Sequence, residues 1–589
     1  MSDTFIIGLD YGSESARGVL LDAASGLQVA SHTHPYRHGI MTRQLTDGTA
    51  LPGSWALQNA ADYLEAAQII LAKLGRARRI ASIGVGFTAS SPMPATLEGT
   101  ALSQLQPHNP HAYVKLWKHG AAQQYADAIN ARGGDFLQNF GGRLSGEWLL
   151  AKAVQIATES PATWQATDKF IESGDWLVWQ LTGIEARSLG FAAYKAQYRD
   201  GDGYPDGILP DLDARLAPPR RIGSPAGALT AAWRRKTGIE GHAVVAVAVI
   251  DSHVVLPAVG AVKTGCLVGA LGTSAAYLLL SERFRPLPAG IEGVAKDASV
   301  RDLWCYEAGQ ASFGDTLSWF VKQFPRADTH SESFRRYNHD AAACRPDESR
   351  LVALDWWNGN RVPLADSRLR GMLVGIGMDT TATALYRALM ESLCFGARTI
   401  ADLFAAGGIG IERVLMTSGL ARNNPLLVQI MADVLARPVD VPELDNPTAV
   451  GAAIHGAVAG GLAADYHDGA ARFGARSYRR YRPDPANTAA YAPLYDIYRN
   501  LAASADVRGG GHTQLTGRRR IASRRHGTAK HRARPRRRHG TAKRRARSRW
   551  RHETAMRHAR SRRRRHSTPA RQSVGRLMAF YRRVGYFFI

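Results

Sequence analysis

Phe5-Ile6-Ile7-Gly8-Leu9-Asp10-Tyr11-Gly12-Ser13-Glu14-Ser15-Ala16-Arg17-Gly18-Val19-Leu20-Leu21 is the stretch on which the fold turns. Two apolar runs, Phe5 to Leu9 and Gly18 to Leu21, flank a polar turn that contains a glycine. That pattern predicts a β-hairpin. Its tip carries the carboxylate of Asp10, the hydroxyls of Ser13 and Ser15, Gly12 and Arg17. Gly12 has no Cβ to hold an anion away from the backbone N–H groups. The hydroxyls can donate to phosphate oxygens, and Asp10 can hold a hydrated Mg2+ beside them. An ordinary surface hairpin reads the same way, so other segments must decide.

A second strand–glycine–hydroxyl unit lies far along the chain, in Cys266 to Leu271 closed by Gly272-Thr273-Ser274. A nucleotide held by both turns would lie between two domains. Ile80 to Phe87 reads as a strand ending in the turn Thr88-Ala89-Ser90-Ser91-Pro92. Val244 through Ile250 is a continuous apolar run, which predicts one strand buried on both faces, with Asp251-Ser252-His253 at its end. Ligands of α/β proteins collect beyond the carboxyl ends of strands, so Asp251 is the candidate general base for an acceptor hydroxyl. Two other readings stay open: Asp251 as a plain helix cap, or Asp251 and His253 as half a metal site. No complementary His or Cys cluster stands nearby in the sequence, and His253 reads as a packing or hydrogen-bonding residue. Asn423 to Arg437 predicts a helix, capped by Asn423 or Asn424, opened by Pro425 and stopped by Pro438. Gly451 to Gly461 predicts a small-residue helix suited to close packing.

At 589 residues the chain is too long for one core, and its 45% apolar content is ordinary. No apolar run reaches the roughly 18 residues of a membrane span. Met1-Ser2-Asp3-Thr4 does not resemble the start of a signal peptide. Cys266, Cys305, Cys344 and Cys394 stand too far apart for a zinc or disulfide framework, so a reducing cytoplasm is the expected compartment. The net charge of +25 is not spread evenly. From Asp506 onward there are 28 Lys and Arg against Asp506 and Glu553 alone. That leaves the preceding residues almost neutral. The basic segment repeats every 13 residues, in His526-Gly-Thr-Ala-Lys530, His539-Gly-Thr-Ala-Lys543 and His552-Glu-Thr-Ala-Met556. With no apolar face it is expected to be disordered alone.

Taken together the motifs are identified with a family. The hairpin tip resembles the first phosphate loop of the actin-like ATPases. Longer stretches resemble the ribulokinases among the FGGY carbohydrate kinases: Asp10 to Gly18, Trp55 to Gln58, Asn109 to His119, Asp175 to Gly183, Tyr194-Lys195-Ala196, Tyr306 to Gln310, Asp355 to Arg361 and Asn424 to Leu427. The resemblance runs in order through about residue 500. It implies an α/β fold of two actin-like (ribonuclease H-like) ATPase domains with an interdomain cleft. The expected domains are residues 1–260, with the sugar site and first phosphate loop, and 261–505, with the second phosphate loop and adenosine pocket. Residues 506–589 form the basic tail. The implied reaction is transfer of the ATP γ-phosphate, with Mg2+, to the 5-hydroxyl of L-ribulose, a step of L-arabinose catabolism. By matching position, Asp251 is the catalytic base, and Ala89, Lys195 and Glu307 contact the sugar. Asp10, Gly12, Ser13, Ser15, Arg17, Gly272, Thr273, Gly314, Gly419 and Asn423 fall at nucleotide positions, with Asp10 as the metal ligand.

Departures from the family pattern are Gly86 for an Asp before Phe-Thr, Ala248-Val249-Ile250 before Asp251, Ser418 for a Gly, and Val362 for a Ser or Thr. They bear on substrate affinity and rate more than on fold, and they keep a related ketose or polyol open as acceptor. A repurposed body that binds nucleic acid through its tail is the reading from a different class. The tail would bind nucleic acid non-specifically and with steep salt dependence. Its arginine-saturated repeats also read as translation of GC-rich sequence past a lost stop codon or a frameshift. No membrane partner is expected, and a homodimer is left open.

Overall fold

The computed structural model describes residues 4–287, 290–366 and 368–504. The basic segment from Asp506 and its repeats therefore lie outside the described residues. The opening stretch forms the expected hairpin, with β1 (Thr4–Tyr11) antiparallel to β2 (Ser15–Asp22) and Asp10 opposite Arg17. β3 (Gln28–Pro35), β4 (Arg79–Phe87), β5 (Pro225–Ala228), β6 (Val244–Ala246) and β7 (Val249–Ile250) complete a seven-stranded sheet. Its order is β5-β6-β4-β1-β2-β3, with β7 paired to the end of β4.

The second sheet also has seven strands: β8 (Cys266–Leu271), β9 (Ala275–Ser281), β10 (Gly293–Lys296), β11 (Trp304–Gln310), β12 (Arg413–Thr417), β13 (Val439–Pro442) and β14 (Tyr478–Tyr481). They lie in the order β10-β11-β9-β8-β12-β13-β14. The run β3-β2-β1-β4-β6 of the first sheet has its counterpart in β11-β9-β8-β12-β13, with the same chain order and strand directions. The fold is thus one sheet plan used twice, and each copy opens with a hairpin.

The run Val244 to Ile250 departs from the single strand expected of it. Val245 sits opposite Ile83 and Val249 opposite Gly86, so this side carries one residue more than β4. The extra residue breaks the run into β6 and β7, as a bulge does. Val247 N–H turns away to donate to Ser224 C=O at 3.1 Å. β7 then delivers Asp251 to the start of a helix.

Among the helices that frame the two sheets and the space between them are α1 (Ala60–Gly75), α2 (Leu149–Glu159), α3 (Leu189–Ala196), α4 (Asp251–Ala258), α5 (Ala382–Ala406), α6 (Pro425–Leu435) and α7 (Pro447–Ala459). α6 starts as its sequence predicts, with Asn424 accepting from Leu427 N–H and Pro425 in the first turn. It ends at Ala436 in the left-handed region, before Pro438 is reached. Strand alternation sorts the apolar residues into layers. Ile7, Leu9 and Leu20 face a core shared with α1, while Leu267, Val414 and Met416 face one shared with α5 and α6. Between the sheets, Ile6, Val19 and Leu21 meet Val268, Leu278 and Leu415 through α4 and α7.

That middle layer is close-packed at the level of backbone. A Cβ on Gly8 would lie 1.9 Å from Ala449 O, and one on Gly84 would lie 1.7 Å from Ala452 O. On the other side of α7, a Cβ on Gly451 would lie 1.9 Å from Val254 O of α4. These contacts cannot relax by a rotamer change, because the obstructing atoms are backbone. Gly84→Ala should therefore destabilise the protein by at least about 3 kcal/mol in denaturant melts, at the upper end of overpacking costs. Gly410 has open space around its Cβ position, and Gly410→Ala should stay within about 0.5 kcal/mol of the parent.

Candidate active site

The tips of the two opening hairpins line one cleft that encloses about 340 Å3. Each tip is closed by a hydrogen bond from its glycine, over three residues in the first and two in the second. Gly12 N–H donates to Ser15 C=O at 3.0 Å, and Gly272 N–H donates to Ser274 C=O at 2.9 Å. Ser13 is held from two sides, its Oγ accepting from Trp117 Nε1 at 2.9 Å and its C=O from Gln58 Nε2 at 2.6 Å. With the Oγ lone pair engaged by the indole, the hydroxyl proton is free to point at an anion.

Asp251 opens α4 and lines the same cleft, its carboxylate accepting from Ser252 N–H at 2.7 Å. Burial pushes its pKa up to about 7, and the facing Asp10 carboxylate adds to the rise. Asp10 is itself raised to about 6 by burial, with Arg17 across the ladder offsetting part of it. The two acids thus sit together with too little positive charge between them.

Further along, Lys195 at the end of α3 meets Glu307 on β11, with Nζ 3.2 and 3.3 Å from the two carboxylate oxygens. Burial works to raise Glu307, but the Lys195 ammonium and the His253 ring outweigh it and hold the carboxyl well below its usual range. His253 has the hydrogen-bonding role expected of it. Its Nδ1 is 2.5 Å from Ser299 Oγ and its Nε2 is 3.6 Å from Glu307. Burial lowers the ring's pKa, with Glu307 working against it. Ala89 forms another part of the wall, and its turn is braced from behind. Glu172 accepts from Ser91 N–H at 2.7 Å, and Lys152 Nζ donates to Ser90 C=O at 2.8 Å.

Asp10, Gly12, Ser13, Ala89, Lys195, Asp251, Gly272, Thr273 and Glu307 are therefore brought to one cleft. Ser15, Arg17, Gly314, Gly419 and Asn423 stand outside its lining. Arg17 Nε donates to Thr33 Oγ1 at 3.1 Å. Gly314 lies behind the second turn, where its N–H donates to Gly272 C=O at 3.0 Å. Gly419 begins a short helix next to Ser418, and Asn423 lines a separate hollow with Arg422, Glu443 and Arg479. Ser418 does line the cleft, at a φ of +87°. A non-glycine residue there carries strain of about 1–3 kcal/mol.

Sequence reasoning missed Glu147, Trp148, Glu292 and Arg361, which also line the cleft. Arg361 ends one of the quoted stretches and could have been singled out. Glu147 and Glu292 belong to no motif, and only the fold brings them to this site.

Comparison with known proteins agrees with this architecture. The FGGY family of carbohydrate kinases, C-terminal domain, matches residues 267–460. The chain is 38% identical to a ribulokinase of Halalkalibacterium halodurans over 534 residues, covering 85% of this chain and 95% of that protein. It is also 38% identical to a ribulokinase of Mycolicibacterium smegmatis, covering 84% and 93% of the two chains. Among solved structures, a xylulose kinase from Rhodospirillum rubrum superposes with a TM-score of 0.72 at 22% identity, covering 85% of this chain and 99% of that one. A glycerol kinase of Plasmodium falciparum with ADP gives 0.70 at 14% identity, covering 85% and 99%. At such identities these two likenesses speak for the fold alone.

Lys195→Met should leave Glu307 as a buried charge without its cation. Breaking a buried pair in this way costs about 3–5 kcal/mol, to be read as a drop in unfolding midpoint. Ser418→Gly should act in the opposite direction, raising stability by about 1 kcal/mol as the backbone strain is released.

Proposed function

Because the chain belongs to the ribulokinase branch of the FGGY carbohydrate kinases, and is thus an ATP-dependent sugar kinase, we propose that its acceptor is the 5-hydroxyl of L-ribulose, with Asp251 as general base. The observation that carries this reading is the row Asp251, Lys195, Glu307 along one cleft that also holds both hairpin tips. A carboxylate with a pKa near the working pH is suited to take a proton from an attacking hydroxyl. Lys195 and Glu307 supply a donor and an acceptor for the neighbouring sugar hydroxyls, and the small Ala89 leaves the ring of contacts open for the carbon chain. The proposed division at residues 260–261 gives each half one hairpin.

On the nucleotide side, the turns at Gly12 and Gly272 present backbone N–H groups to the phosphates, with Ser13 and Thr273 as hydroxyl donors. Ser15, Arg17, Gly314, Gly419 and Asn423 then act from outside the cleft wall, the last two toward adenosine. Among the described residues no group of three or more His, Cys, Asp or Glu could hold a metal by itself. Mg2+ does not need one, since it is usually held by one or two carboxylates together with phosphate oxygens and water. Asp10 fits that role, being a carboxylate raised by burial and facing Asp251. Bound there with ATP, the ion would neutralise charge that builds on the phosphates during transfer. Asp251 takes the hydroxyl proton, and a cleft closed over both substrates would keep water from competing as acceptor. The cytoplasm, where ATP and Mg2+ are at hand, is the proposed compartment. Among the described residues no helix is long and apolar enough to cross a membrane.

A second reading, a related ketose or polyol as acceptor, is favoured by Gly86 and Val362. A substrate panel separates the two, and a preference for L-ribulose of tenfold or more dismisses it. In a coupled assay the unaltered chain should consume ATP in response to L-ribulose. Asp251→Asn should lower kcat by about 10^2–10^4, the usual share of a general base. Asp251 must be deprotonated to act, so kcat/KM should fall about tenfold per pH unit as the pH drops below 7. Wild-type rates from Asp251→Asn, or a flat profile between pH 5 and 7, would sink the role of Asp251.

A further inference from the structure

Glu147 stands just before α2, and Arg361 lies in the loop after the strand Val352–Leu354. They come from opposite halves of the chain, yet Arg361 Nη2 is 3.0 Å from Glu147 Oε2. Glu292 reaches the same guanidinium, 3.9 Å from its Nε. Glu147, Trp148, Glu292 and Arg361 line both the main cleft and a second, smaller cavity of about 70 Å3. The ion pair is therefore a partition with empty space on both sides.

The partition also adjoins the proposed sugar contacts. The carboxyl of Asp251 responds to Asp10, Lys195 and Glu307, whereas the guanidinium of Arg361 responds to Glu147, Glu292 and Glu307. Glu307 is the neighbour common to both, and Arg361 stands next along β11 from it: a Cβ on Gly309 would lie 3.0 Å from Glu292 Oε2 and 3.5 Å from Arg361 Nη1. The supporting loop is firmly held. Asn360 Oδ1 accepts from Leu364 N–H at 2.9 Å, and Gly290 passes Pro363 so closely that a Cβ would lie 2.4 Å from Pro363 O. The two charged side chains are less confined, at 23% and 34% exposed. A pair with that much solvent gains little from its own attraction.

We propose that the Glu147–Arg361 pair is an interdomain latch that forms the end wall of the sugar site and limits the length of the sugar chain. The inference rests on the proposed placement of the sugar between Asp251 and Glu307. With the 5-hydroxyl at Asp251, the opposite end of a five-carbon ketose lies toward Arg361 and Glu292, which can donate to and accept from its terminal hydroxyl. A sugar one carbon longer meets the wall. Arg361 and Glu147 are positioning residues in this scheme, and the proton stays with Asp251.

The test compares full-length Arg361→Met, Arg361→Lys and Glu147→Gln with the unaltered chain, on L-ribulose and on six-carbon 2-ketoses. Arg361→Met should raise KM for L-ribulose about tenfold or more with kcat within about threefold, since the lost contact is one of binding rather than chemistry. Its ratio of kcat/KM for six-carbon over five-carbon ketoses should rise about tenfold or more, the usual worth of one carbon unit in a fitted pocket. Arg361→Lys, which keeps the charge, should recover most of the loss, and Glu147→Gln should move both quantities in the same direction as Arg361→Met. KM and the chain-length ratio within twofold of the unaltered chain in both Arg361→Met and Glu147→Gln would overturn the proposal. Amide exchange over residues 140–148 and 358–366 provides a readout without turnover. It should quicken in both variants, and unchanged exchange in both would equally overturn the latch. If the unaltered chain ignores L-ribulose, it is the substrate reading that has failed, and the exchange result still decides the latch.

Discussion

The close approach of α7 to the first sheet is the constraint on which the rest of the molecule depends. Gly8 and Gly84 are neighbours across β1 and β4, and both are bare because the backbone of α7 occupies the place of a side chain. Gly451 allows α4 equally close on the opposite side. α4 begins with Asp251, and β1 ends at the turn that contains Gly12 and Ser13. The distance between the Asp251 carboxylate and the turn at Gly12 and Ser13 is thus set by backbone contacts, which are stiffer than any packing of long side chains. A side chain added at this seam would shift Asp251 relative to that turn.

The cleft gathers more negative than positive charge. Asp10 and Asp251 are both raised by burial, whereas Glu307 is lowered because Lys195 reaches it. The contrast divides the site. Near the hairpin tips burial outweighs the nearby cations, which suits a place where a metal–nucleotide complex brings its own cation. Near Glu307 each cation has a carboxylate partner, Lys195 with Glu307 and Arg361 with Glu147, which suits a neutral polyhydroxy ligand that needs donors and acceptors in fixed positions. One cleft therefore offers two electrostatic environments, in the order that phosphoryl transfer from a nucleotide to a sugar requires.

Much of this was legible in the chain. The two hairpins and α6 show in local patterns of apolar runs, glycines and caps, because each is decided by residues close in sequence. Asp251 was visible as the acid after an apolar run, although the run itself hid a bulge. Uniform burial of Val244 to Ile250 carries no mark of where a ladder gains a residue. The pair Glu147–Arg361 was not visible at all. Its partners are far apart along the chain, and although Arg361 ends a quoted stretch, Glu147 belongs to no motif, so only the folded arrangement brings them together. The adenosine-side positions Gly419 and Asn423 were read from resemblance, and they flank the cleft instead of lining it.

The origin of α7 has a consequence for how the protein is made. The helix that completes the inner face of the first sheet is encoded after nearly all of the second sheet. A ribosome adding about 5–20 residues per second leaves that face uncovered for on the order of 10–40 s after β7 has emerged. Throughout this interval Ile6, Val19 and Leu21 have no permanent cover. The N-terminal half is therefore not self-sufficient during synthesis. Its last structural layer arrives from the far end of the message, and chaperone demand should be greatest in between.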